Sequence, residues 1–156
     1  MKYTLTDETM EFYGHTLHRV QYADGTKGGW IESEKNLSQY GNAKVCDNAK
    51  VCDNAEVWGN AEVYGHAKVC DNAEVCNMQD YIVFKNWWSS GRYFTWTRSN
   101  NMWSVGCFYG TGKELIAKAY KDSEISGREY ERVVKYVESI LKEEKDGEEN
   151  EHKNEV

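Results

Sequence analysis

The 156 residues contain no proline. No position is therefore barred from a strand ladder or a helix interior by a missing amide. Long apolar runs are missing as well. Nothing approaches the ~18 residues of a membrane span, and the start MKYTLTDE has no apolar stretch of the kind a secretory signal carries. These absences predict a cytoplasmic protein with no membrane partner. Five cysteines in such a chain point to free thiols rather than a disulfide framework. No cysteine pair has zinc-finger or zinc-ribbon spacing, so neither a metal nor a cofactor is expected.

The net charge is −7 and unevenly spread. Residues 1–79 carry 7 basic and 12 acidic side chains, residues 80–141 carry 9 and 7, and residues 142–156 carry 3 and 7. The last stretch, KEEKDGEENEHKNEV, reads as a disordered, solvated acidic tail.

What the chain has in abundance is one hexapeptide. Residues 40–75 read YGNAKV, CDNAKV, CDNAEV, WGNAEV, YGHAKV, CDNAEV. Strand alternation turns Val and Ala inward, with the charged residue and the Cys, Trp or Tyr outward. The (Asp/Gly)-Asn pair turns the chain, because such residues tolerate left-handed dihedrals. Three short strands and three corners per 18 residues imply a triangular coil that stacks on itself.

Stacking aligns residues 18 apart, so Cys52 lies over Cys70, Cys46 over Tyr64, and Tyr40, Trp58 and Cys76 share a column. These small or flat side chains suit packing faces, within the chain or between copies. Lys50 is set against Lys68, and Glu56 against Glu74, which is unfavourable unless something relieves them.

The segment resembles the left-handed parallel β-helix of hexapeptide-repeat proteins. The leader, with TDET and GGWIESEKNLS running into the NAKV repeats, resembles phage and prophage proteins over roughly residues 3–75. Some of those are loosely labelled transferases. The first resemblance implies a mainly β fold: a short β-helix of about two coils over residues 40–79, under an N-terminal β cap at 1–39. Hexapeptide-repeat proteins commonly form trimers, so a homo-oligomer, trimer or dimer, is also implied. Acyltransferases of that family use a histidine as general base, which makes His66, the repeats' one histidine, a weak catalytic candidate. Its bland reading is a corner residue.

Residues 80–141 read as a small α+β domain of three strands and two helices. YIVFKNWW, RYFTWTRS and MWSVGCFYG form an antiparallel meander. Thr111 with Glu114, and Ser126 with Glu129, read as capping boxes opening the helices. In the predicted register Arg98 faces Trp103, Trp96 faces Val105 and Phe84 faces Trp96. One sheet face is then apolar: Ile82, Phe84, Phe94, Trp96, Val105 and Cys107. The other mixes aromatics and hydroxyls: Val83, Lys85, Trp87, Tyr93, Thr95, Thr97, Ser104 and Phe108. Such a face suits recognition, and Arg92 adds charge beside Trp87 and Tyr93.

The run GCFYGTGKEL offers Lys113 and a helix N-terminus to an anion. It lacks the P-loop spacing, since Glu114 stands where a hydroxyl belongs. The expected function is a non-enzymatic, phage-type accessory protein. It would bind a host protein or complex, for instance to inhibit a bacterial defence system. A nucleotide-binding sponge and an acyltransferase remain the alternatives.

Overall fold

The structure is a computed structural model that describes residues 1–154, with side chains placed for residues 1–148. The chain divides into two compact units, Met1–Thr111 and Gly112–Val156.

The first unit opens with β1 (Tyr3–Phe12), β2 (His15–Tyr22) and β3 (Lys27–Ile31), joined antiparallel. Six two-residue strands follow, one per repeat: β4 (Lys44–Val45), β5 (Lys50–Val51), β6 (Glu56–Val57), β7 (Glu62–Val63), β8 (Lys68–Val69) and β9 (Glu74–Val75). They pair in parallel as β4 with β7, β5 with β8 and β6 with β9, each 18 residues apart. After these come β10 (Tyr81–Lys85), β11 (Tyr93–Thr97), β12 (Met102–Val105) and β13 (Phe108–Gly110), a four-stranded antiparallel sheet.

This architecture corrects the expected fold. The chain does not form a left-handed parallel β-helix carrying a cap and a separate α+β domain. It forms a five-stranded mixed sheet in the order β1-β2-β3-β5-β8, two isolated parallel pairs and the antiparallel sheet. The physical reason is strand length. Two-residue strands cannot stand as an independent stack, and leader and meander complete their pairing instead. Trp30 pairs with Lys50 and Ile31 with Val51, and Leu37 bridges to Val57.

Glycine makes the β3 junction possible. A Cβ on Gly29 would lie 2.7 Å from Val45 Cγ1 and 2.8 Å from the Ala49 carbonyl oxygen. Only a bare Cα fits there.

The six Val and six Ala side chains of the repeats are at most 1% exposed. Leu37, Ile31, Val20, Tyr3, Tyr22 and Tyr81 pack with them in one core. The left-handed residue at the corners is the Asp or Gly, not the Asn: Asp47, Asp53 and Asp71 have φ of 55°, 57° and 58°, and Gly41, Gly59 and Gly65 of 74°, 67° and 66°. The Lys50–Lys68 clash is relieved by the leader, because both ammonium groups lie over the Phe12 ring at 5.7 and 5.3 Å.

The repeat's last row ends with backbone amides that have no further strand to pair with. Side chains of the meander, its hairpin turn and the turn before it serve them. Lys68 N donates to Thr95 Oγ1 at 2.9 Å, Glu74 N to Ser99 Oγ at 2.8 Å, and Cys76 N to an Asp80 carboxylate oxygen at 2.9 Å. Thr95, Thr97 and Ser104 are consequently buried.

Both hairpin registers are offset by two residues from the expected ones: Trp96 faces Trp103, and Ile82 faces Trp96. An even shift leaves the side chains of β10, β11 and β12 on their predicted faces, but Phe108 pairs with Val105 after the Gly106–Cys107 turn and so lies on the apolar face rather than the hydroxyl face. Cys107 instead lies exposed in the turn before β13.

The second unit holds α1 (Gly112–Asp122) and α2 (Glu124–Asn154). The cap of α2 is Ser123, whose Oγ accepts from Ser126 N at 3.0 Å, so Ser126 lies inside the first turn rather than at the cap. Gly127 lets α2 approach the Tyr120 ring of α1, and Tyr120 donates to Glu131 at 2.7 Å. Residues 142–154, expected as a disordered tail, continue α2, while residues 155 and 156 lie outside the described residues. No described helix is long and apolar enough to cross a membrane.

Candidate functional site

Two clefts in the first unit gather the chemistry-bearing side chains. One, of about 390 Å³, is lined by Tyr64, Gly65, His66, Met78, Tyr81, Ile82, Val83 and Tyr93. His66 stacks on Tyr93 with ring centroids 4.2 Å apart and planes 9° from parallel. Lys85 Nζ lies 6.0 Å from the same Tyr93 ring. Trp87, at the end of that hairpin, is 71% exposed and meets Trp88 edge-on. Lys85 pairs directly with Tyr93, and Asn86 N donates to the Arg92 carbonyl oxygen, which fixes these residues on one hairpin end. The result is an exposed aromatic patch bordered by the cation of Lys85, while the Arg92 guanidinium lies over Gly106.

The other cleft, of about 280 Å³, contains His15, Cys52, Asp53, Cys70, Ser104 and Phe108 among its lining residues. Cys52 S–H donates to Cys70 Sγ at 3.2 Å. That bond holds the Cys52 thiol well above its ordinary range, with burial adding to the effect. The same bond, helped by Ser104, lowers Cys70 against the push of burial.

His15 Nδ1 meets Glu32 Oε2 at 2.9 Å, and its Nε2 lies 3.4 Å from Asp53 Oδ1. The Glu32 hydrogen bond raises the imidazole pKa. Burial pushes Glu32 up, but its bonds with His15 and with the Asp53 backbone N–H outweigh that and lower it. His15, Cys52 and Asp53 offer ligand atoms that all lie within 4.8 Å of one another.

The chain matches no family model, no curated protein and no solved structure.

Of the residues singled out in the sequence, Lys85, Trp87, Arg92 and Tyr93 share the exposed hairpin end. His66 joins them through its stack. Thr95 and Thr97 do not, because they are buried in the face turned to the repeats. Ser104 and Phe108 line the second cleft, and Lys113 lies exposed on α1 in the other unit. Among the packing columns, Cys52 and Cys70 are covered by Phe12, Leu17 and Trp30. Cys46 and Cys76 are partly buried, while Tyr40, Trp58 and Tyr64 stay exposed at 86%, 46% and 49%.

Sequence reasoning missed His15, Glu32 and Asp53. Their grouping depends on the leader hairpin lying over the Cys52–Cys70 column, and no spacing within the chain announces that.

Proposed function

We propose that the chain is a non-enzymatic, phage-type accessory protein that binds a host protein through the patch around Tyr93. The observation that supports this most directly is the construction of the patch. The Tyr93 ring is held by His66 on its face and approached by Lys85, and Trp87 stands in solvent beside it. Rigid, exposed aromatics contribute contact area at low entropic cost, and they mark interaction surfaces. The flanking Lys85 favours a partner segment that is acidic as well as aromatic. The likeness of the leader to phage proteins suggests a partner in a host cytoplasm, and an inhibitor of bacterial defence is the kind of accessory protein that would fit. Exposed Tyr40 and Trp58 support self-association of the repeat face.

The test is a pull-down from host lysate with full-length protein, with the captured protein identified by mass spectrometry. Tyr93→Ala and Trp87→Ala should lose one specific partner while keeping the wild-type melting temperature. Equal recovery by all three proteins would sink the assignment.

The same stack favours a second reading, a planar nucleobase held against Tyr93 with its phosphate near Lys85. A thermal upshift with one nucleotide, lost in Tyr93→Ala, would support it. Acyl transfer fits less well, because one face of His66 is taken by Tyr93 and no described carboxylate hydrogen-bonds its ring. No heat on titration with acyl donors is expected.

A further inference from the structure

We propose that His15, Cys52, Asp53 and Cys70 bind one Zn²⁺ per chain. The inference does not depend on the patch at Tyr93. Residues 18 apart bring the two thiols to 3.2 Å. The tight turn at Tyr13 and Gly14, with φ of 46° and 86°, starts β2 so that His15 faces the same spot. Asp53 follows Cys52 directly and presents its carboxylate to both, 3.4 Å from His15 Nε2 and 3.9 Å from Cys52 Sγ. Donors around a tetrahedral zinc, at bond lengths of ~2.0–2.3 Å, lie ~3.3–3.8 Å apart. The donor atoms of His15, Cys52 and Asp53 already lie within 4.8 Å of one another, and Cys70, in contact with Cys52, has to turn its Sγ toward them to complete the set.

The hydrogen-bonding logic also calls for a cation. Glu32 Oε2 holds His15 Nδ1 at 2.9 Å, which fixes the proton on Nδ1 and leaves a lone pair on Nε2. Nε2 faces the Asp53 carboxylate at 3.4 Å, a gap that either a metal cation or a second ring proton fills. A carboxylate that orients a ligating imidazole through its other nitrogen is a recurrent second shell of zinc sites. Glu32 does more here, because its Oε1 also accepts the Asp53 N–H at 2.7 Å. One side chain thus positions two ligands.

Two thiols, an imidazole and one carboxylate form a borderline-soft donor set. It suits Zn²⁺ and not the all-oxygen shells of Mg²⁺ or Ca²⁺. The 280 Å³ cleft above the ligands provides a route of entry. A proton on Nε2, giving an imidazolium, is the competing occupant of the gap, and a thiol-specific optical signal separates the two.

Full-length protein, kept reduced, is titrated with Co²⁺ and then with Zn²⁺. The expected result is one equivalent of Co²⁺ with thiolate-to-cobalt charge transfer in the near ultraviolet and intense tetrahedral ligand-field bands, all bleached by Zn²⁺. Cys52→Ser and Cys70→Ser should each lose about half of the charge-transfer intensity, and the double variant all of it. Cys46→Ser and Cys76→Ser should keep it. Glu32→Gln should keep the spectrum and weaken binding by about 10–100-fold. Should the buried cysteine variants not fold, His15→Gln, at a partly exposed position, must still weaken Co²⁺ binding. No charge-transfer band in folded wild-type protein, or an unchanged titration in His15→Gln, would overturn the proposal. A wild-type-like spectrum in either folded Cys→Ser variant would do the same.

Discussion

The backbone amide of Lys68 donates to the side-chain oxygen of Thr95 at 2.9 Å. The two residues belong to different sheets. In each earlier row the corresponding amide finds a carbonyl 17 residues on, as Lys50 N finds the Ala67 oxygen. No further repeat follows, and a hydroxyl replaces the missing strand. Thr95→Val keeps the shape and removes the acceptor. It should cost about 1–3 kcal/mol, the range for leaving a buried donor unpaired. Thr95→Ser should cost less than Thr95→Val. Urea unfolding compares the two. Equal stability of Thr95→Val and wild type would mean that water reaches the Lys68 amide.

The leader closes the opposite end by close approach rather than by hydroxyls. Gly29 has backbone and a Val45 methyl within 2.8 Å of where a Cβ would stand. Gly29→Ala should therefore destabilise by about 1–3 kcal/mol, as overpacked core positions do. Gly147→Ala, inside α2 with nothing within 4 Å, should instead stabilise the helix by up to about 1 kcal/mol. Differential hydrogen exchange at Trp30 and Ile31 reports the first effect directly. Unchanged protection there in Gly29→Ala would show that the β3 junction can relax.

Alkaline stability should be governed by buried tyrosines. Burial, the largest cause, pushes Tyr81 from 10.0 to about 12, and its hydroxyl donates to the Glu62 carbonyl at 2.7 Å. A folded-state pKa above the unfolded one means that the unfolded chain releases its proton first. The stabilisation is therefore complete below pH 10 and is lost as pH climbs toward 12. Tyr3, also raised to about 12 chiefly by burial, acts in the same window. Unfolding midpoints measured across that range should fall less steeply in Tyr81→Phe than in wild type. Parallel curves would remove Tyr81 as a cause.

Much of this fold is written in short-range pattern. The inward Val and Ala, the 18-residue pairing and the faces of β10 to β12 follow from periods of six and two, and a register error of two residues leaves those faces unchanged, while the turn at Gly106 and Cys107 moves Phe108 to the other face. The division of labour between those faces was not legible. Thr95, Thr97 and Ser104 read as a recognition surface because alternation marks them as polar, yet alternation says nothing about what lies opposite. The answer depended on where the repeats stop and which amides were left over. His15 was hidden for a related reason. Its partners Cys52 and Asp53 are close only because a hairpin from another part of the chain folds over that column. Trp87 and Tyr93 kept their exposure because they lie at the hairpin end, beyond the last repeat amide to be satisfied.

The Tyr40–Trp58 column is the repeat face that the described chain leaves bare. Trp58 is 46% exposed and Tyr40 86% exposed, whereas the Cys52–Cys70 face packs against Phe12, Leu17 and Trp30. Large exposed aromatics along a regular array favour a second copy of the same surface, because symmetric contacts repeat each favourable pair. Light scattering of the wild-type protein should therefore give the mass of a dimer or trimer. Trp58→Asp places a charge at the centre of that contact and should yield a monomer with an unchanged far-ultraviolet spectrum. Lys113→Glu, on α1, should leave the mass as it is. A monomeric wild type across micromolar concentrations would show that this face does not associate, and that its aromatics serve another partner.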